Sequence, residues 1–188
     1  MAIKIYIDQG HNPANPNAGA EGNGLREQDI VYTIGQELAA LLRENGNFEV
    51  RLSRPTPTTQ IGTSNSTSLR LRVAEANEWG ADYFISLHTN ASDNAAATGS
   101  EAFAFSRPSR AFTLAEDILE GLNRTTGLRN RGAQVRTNLY VLRKTTMPAV
   151  LVELGFITNP GDALLMSTQP QLFAEGIYQG ILSFLSLT

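Results

Sequence analysis

Apolar residues recur along this chain in two rhythms, one of period two and one of helical period. Ile3, Ile5 and Ile7 alternate with Lys4 and Tyr6, which predicts a strand. The strand runs into Asp8-Gln9-Gly10-His11, and a loop rich in Gly, Pro and Asn follows to about Gly24. A helix is expected from near Glu27. Its apolar stripe is Ile30, Ile34, Leu38, Leu41 and Leu42, and Gly46 is its stop. Phe48 to Leu52 reads as a second strand. A loop of Thr, Ser and Pro from Arg54 to about Thr67 leads into a helix that carries Leu69, Val73 and Ala76 on one face and ends at Gly80. Tyr83 to Leu87 is a short apolar run fit for a buried parallel strand. It enters His88-Thr89-Asn90 and a loop of small residues reaching Ser100.

Further on, Glu101 to Phe105 alternates as a strand. Phe112, Ala115, Leu119 and Leu122 mark a helix that stops before Gly127. Leu139 to Leu142 predicts a short strand, and Ala149 to Leu154 a central one interrupted only by Glu153. The last helix starts near Pro170, a favoured first-turn position, and buries Leu172, Phe173, Ile177, Ile181, Phe184 and Leu185. Gly176 and Gly180 sit one turn apart inside it, each costing about 1 kcal/mol relative to Ala. A close approach of this helix to the sheet would account for both. Strands alternating with helices, with no repeat and no linker, predict a single α/β domain over residues 1–188. Its expected form is three layers, a mostly parallel twisted sheet of about six strands flanked by helices on both faces.

Composition narrows the function. The 188 residues are 41% hydrophobic and 18% charged, a globular balance. A net charge of -3 gives no reason to expect nucleic acid. The absence of cysteine removes disulfides, thiolate ligands and a Cys nucleophile together. The first residues, MAIKIYIDQGH, lack the charged segment and long apolar run of a signal peptide. No stretch approaches the ~18 apolar residues of a membrane span. One basic stretch stands out: Arg124, Arg129, Arg131, Arg136, Arg143 and Lys144. It reads either as a solvated face or as a groove wall facing an anionic polymer.

The chain holds only two histidines, and each directly follows an apolar strand, at IYIDQGH and YFISLH. Loops leaving the C-terminal ends of parallel strands line the ligand crevice of such a sheet, so both imidazoles are candidates for one site. Two unrelated histidines, each bonded to nearby backbone, is the plainer alternative. Glu153 is a carboxylate inside PAVLVELGF. Burial without a partner is costly, so it should meet a metal, a base or a substrate, the plainer alternative being a salt bridge to an arginine. Glu27, in a helix first turn, is favoured there by the helix dipole alone. If it points back to His11, two histidines and one glutamate would make three zinc ligands and leave a position for water. Asp8 and Asn90 could bond a ligand imidazole or stabilise a turn, and Arg54 and Arg72 read as structural ion pairs.

Several segments, in order, are IYIDQGH, GAEGNGLRE, SRP, LRLRVAEANEWGADYFISLHTN, GSEAFAF and RNRGAQVRTNLYVLRKTTMPAVLVELGFITNPGD. With these the chain resembles the zinc-dependent N-acetylmuramoyl-L-alanine amidases of bacterial wall turnover and phage lysis, from Ile3 to Phe184. The resemblance implies that His11, Glu27 and His88 hold one zinc ion and that Glu153 is catalytic. It implies peptidoglycan as the substrate and action at the cell wall. Asn90 and Arg131 are candidates for substrate binding, and a monomer is expected. Gln9 stands where the family usually has Pro, Asn12-Pro13 where Gly-Gly is frequent, and Leu87 and Thr89 flank the second histidine in place of Ile and Ala. None of these removes a ligand. A zinc peptidase acting on another wall amide and a non-catalytic wall-binding module are the rival readings. No G-x-S-x-G segment supports a serine hydrolase.

Overall fold

The computed structural model describes residues 2–187. Its strands are β1 (Ile3–Gln9), β2 (Glu21–Gly22), β3 (Leu25–Arg26), β4 (Phe48–Leu52), β5 (Tyr83–Asn90), β6 (Ser100–Ala104), β7 (Asn130–Val135) and β8 (Ala149–Phe156). The helices are α1 (Glu27–Asn45), α2 (Asn65–Trp79), α3 (Arg110–Thr126), α4 (Tyr140–Lys144), α5 (Pro160–Thr168) and α6 (Pro170–Leu185). Six strands form one sheet in the order β4-β1-β5-β8-β6-β7, and β2 and β3 make a small ribbon. The strands β4, β1, β5 and β8 are mutually parallel, β6 runs antiparallel to β8, and β7 is parallel to β6.

Alternation within the strands sorts residues to two faces. Ile5 and Ile7 of β1, Ile85 and Leu87 of β5 and Val150 and Val152 of β8 pack with α1, α3 and α6 in the larger core. Tyr6, Phe84, Phe103 and Leu151 face the other way, against Val73 and Ala76 of α2 and Val141 and Leu142 of α4. The three-layer α/β arrangement is therefore as expected. Each fully buried Ile, Leu or Phe contributes about 1.5–3 kcal/mol over an exposed one. The helices α1, α2 and α3 end in left-handed glycines at Gly46, Gly80 and Gly127, as their sequence stops suggest.

Four expectations are corrected. Leu139 to Leu142 is not a strand. Its chain turns into α4, which buries Val141 and Leu142. The edge strand is instead β7, whose residues are largely exposed and so carry no apolar rhythm. The helix α5 lies over a segment given no element, opened by Asn159, whose side chain accepts from the amides of Gly161 and Asp162. Gly176 and Gly180 serve an approach between helices rather than to the sheet. A Cβ on Gly180 would stand 2.5 Å from Cα of Ile118 in α3, and one on Gly121 would stand 2.1 Å from the Gly176 carbonyl oxygen.

Candidate metal centre and active site

The parallel strands deliver their C-terminal ends to one edge of the sheet. There β1 leads through Gly10 to His11, β5 carries His88, and β8 carries Glu153. The Gly10 amide donates to the Leu87 carbonyl, 3.0 Å away, which ties the first loop to the neighbouring strand. The contact is close enough that a Cβ on Gly10 would lie 2.5 Å from the His88 ring. His11 adopts φ 65, a left-handed conformation disfavoured for a residue with a side chain. Arg72 of α2, 1% exposed, holds that backbone. Its guanidinium donates to the carbonyls of Gln9 and His11, to Oδ1 of Asn12, and at 2.6 Å to Oδ1 of Asp8.

Glu27 opens α1 and is 3% exposed. Its Oε1 lies 3.2 Å from Nε2 of His11 and 3.0 Å from Nδ1 of His88, and accepts from the Thr89 amide at 2.9 Å. The other oxygen accepts from the Ala20 amide. The imidazole centroids are 4.8 Å apart with planes at 79°. One donor atom from each of the three residues falls within 4.8 Å of the others. Burial alone would raise the Glu27 pKa. The hydrogen bonds and charges of the two imidazoles outweigh it and hold the carboxyl well below the usual range. Burial alone would likewise lower His88, but the adjacent Glu27 carboxylate raises it above its ordinary value. With these imidazole nitrogens unprotonated, three lone pairs converge on one partly exposed point and call for positive charge between them. Two imidazole nitrogens with a carboxylate oxygen are a donor set suited to zinc.

His88 is in direct register with Glu153 on β8, and Glu153 with Glu101 on β6, so the three project in one row from the same face. Oε2 of Glu153 is buried and meets no hydrogen-bond partner among the described residues. Burial, reinforced by the charges of Glu27 and Glu101, pushes its carboxyl up to about 7 against the opposing effects of His88 and Arg136. A carboxyl poised there can take a proton and return it.

Glu101 is a residue of this site that its sequence context does not single out. It is nearly buried and takes the Asn90 side-chain amide, the Gln134 amide at 3.3 Å and Nε of Arg131 at 3.6 Å. Arg131 also donates to the Thr98 carbonyl and lies over the Phe156 ring, 5.0 Å from its centroid. Asn90 and Arg131 therefore stand beside the row, already engaged with the protein. The basic stretch as a whole does not form one wall. Arg124 reaches Gln179 on α6, and Arg143 lines a separate depression with Pro148 and Ala149 at the opposite end of β8. Asp8 touches neither imidazole, since its oxygens are taken by Arg72 and Ser86. Arg72 makes the expected ion pair. Arg54 makes none among the described residues, and donates to the carbonyls of Gln28 and Pro57.

The model of the family described as N-acetylmuramoyl-L-alanine amidase matches residues 5–183. The chain belongs to that family. Among fellow members, the N-acetylmuramoyl-L-alanine amidase CwlM of Bacillus licheniformis is 38% identical over 184 residues, covering 95% of this chain and 67% of that protein. The amidase LytC of Bacillus subtilis is 36% identical over 186 residues, covering 96% of this chain and 35% of that protein. This amidase-family chain thus spans about two-thirds of one relative and about a third of the other. The crystal structure of an N-acetylmuramoyl-L-alanine amidase from Clostridium difficile 630 superposes with a TM-score of 0.87 at 32% identity, covering 98% of this chain and 97% of that one. Gln9, at the position where the family usually has Pro, is fully buried and used. Its side chain donates to the Tyr32 carbonyl and accepts from the Arg54 amide, and Gly35 of α1 leaves the space it fills.

Proposed function

We propose that the protein hydrolyses the amide joining N-acetylmuramic acid to L-alanine in peptidoglycan, with one zinc ion held by His11, Glu27 and His88. The observation that carries this is the row beside the three converging donors, in which Glu153 presents a buried, unpartnered carboxylate oxygen in register with His88. A zinc ion bound there would acidify water and polarise the amide carbonyl. Glu153 accepts the proton of the attacking water and returns it to the departing alanine nitrogen, so one carboxyl serves as base and then as acid. Arg72 fixes the His11 loop, and the Ala20 and Thr89 amides fix the Glu27 carboxylate.

His11, Glu27, His88 and Glu153 are supplied by a single chain, so the proposed chemistry needs no residue from a second subunit. The names of its relatives support the cell wall as its place of action. No helix among the described residues is long and apolar enough to cross a membrane. Digestion of purified peptidoglycan tests the bond assignment. New free alanine amino groups without new reducing sugars are expected. New amino groups on other residues would instead support a peptidase of the same metal chemistry.

A further inference from the structure

The sheet face that bears Glu153 is only partly roofed by α2 and α4. Between β6, β8 and the segment entering α4, a pocket of about 300 Å3 remains open. Phe103, Leu139, Leu151 and Arg136 line it, together with Asn90 and Glu101. Glu153 lines it too. Because β8 lies between β5 and β6, the pocket extends on the far side of Glu153 from His88.

That placement has a chemical direction. The group that returns the proton must reach the leaving nitrogen, so the leaving peptide lies on the Glu153 side of the metal donors. Two arginines serve this end of the sheet, and they differ. Arg131 is occupied by Glu101, Thr98 and the Phe156 ring. Arg136 lies over the Phe103 ring, 4.8 Å from its centroid, and pairs with no carboxylate among the described residues. Contact with the Phe103 ring restrains its guanidinium before any ligand arrives, which lowers the ordering cost of gripping a carboxylate. The Glu101 charge, also facing the pocket, is met by Arg131, Asn90 and Gln134.

We propose that this pocket binds the first residues of the leaving peptide, the alanine methyl against Phe103 and Leu151, with Arg136 taking a carboxylate on the residue after alanine. The subsite rests on the amidase reading above and adds a substrate preference to it. Two soluble muramoyl peptides test it, identical except that the residue after alanine bears a carboxylate in one and a carboxamide in the other. The zinc-loaded enzyme is expected to favour the carboxylate by about tenfold in kcat/KM, carried by KM, as loss of a charge-assisted hydrogen bond implies. Arg136→Gln, an exposed position, should level the two substrates in kcat/KM, whatever change it makes to the rate common to both. Equal turnover of both peptides by the parent, or an undiminished preference in Arg136→Gln, overturns the subsite alone. Cleavage of neither peptide overturns the amidase reading and the subsite with it.

Discussion

A glutamate can be buried for the sake of the fold or for the sake of chemistry, and the three glutamates at this site show both. Glu27 satisfies two imidazoles and two backbone amides. Glu101 satisfies Asn90, Gln134 and Arg131. Glu153 alone keeps a buried oxygen without a partner. Glu153→Gln preserves its shape and removes its basicity, so zinc content should be unchanged while wall hydrolysis falls by about 10²-fold or more. Metal analysis of the same preparation that is assayed checks both halves. The sequence made Glu153 visible because a carboxylate interrupted an otherwise apolar strand. Glu101 hid because in Ser-Glu-Ala-Phe-Ala it occupies an alternate position, where a charge ordinarily faces water. Only its register opposite Glu153 shows the role. Glu27 could not be told from a residue favoured by the helix dipole until the fold brought it between the histidines.

Between elements, one clamp and one close packing decide the most. Arg72 links α2 to the end of β1 and holds His11 in its left-handed conformation. Arg72→Lys keeps the charge and loses the planar fork. Its zinc affinity should fall about 10- to 100-fold, the usual cost of removing a support of a metal ligand. Turnover should recover when zinc is raised, and competition with a chelating indicator measures the affinity directly. The contact of α3 with α6 gives a test of opposite sign to intrinsic propensity. Alanine is preferred over glycine inside a helix by about 1 kcal/mol. The Gly121 Cβ, however, would stand 2.1 Å from the Gly176 carbonyl oxygen. Overpacking should win, so Gly121→Ala is expected to lower stability by roughly 1–3 kcal/mol in denaturant unfolding. The elements misread from sequence share a cause. An exposed edge strand such as β7 has no apolar rhythm, and the apolar run Leu139 to Leu142 is too short to reveal its period. For α5 the signal was present, since Asn159 followed by Pro160 is a helix start.

On the scale of the whole molecule, the sheet puts its chemistry at one edge and its stability in the two cores, and a buried ion pair joins them. Burial alone would raise the Asp8 pKa, but the charge and hydrogen bond of Arg72 and the hydrogen bond of Ser86 hold it below its ordinary value. A folded pKa below the unfolded one contributes stability that is fully present well above about pH 4, the unfolded value, and is lost as pH falls through the folded one. Unfolding free energy should therefore decline on the acid side, and the decline should be shallower in Asp8→Asn. The fold class was legible throughout, because strand and helix periods alternate and parallel strands read as apolar runs. The meeting of His11, Glu27 and His88 was not legible from spacing, since only the crossovers of the sheet bring them together. It was reached through the family resemblance of the loops around them. Zinc content per chain, measured after metal loading and dialysis for the parent protein, His88→Ala and Glu153→Gln, tests that meeting most directly. About one zinc per chain is expected in the parent and in Glu153→Gln, and nearly none in His88→Ala. Equal zinc in all three, or none in the parent, would contradict the account.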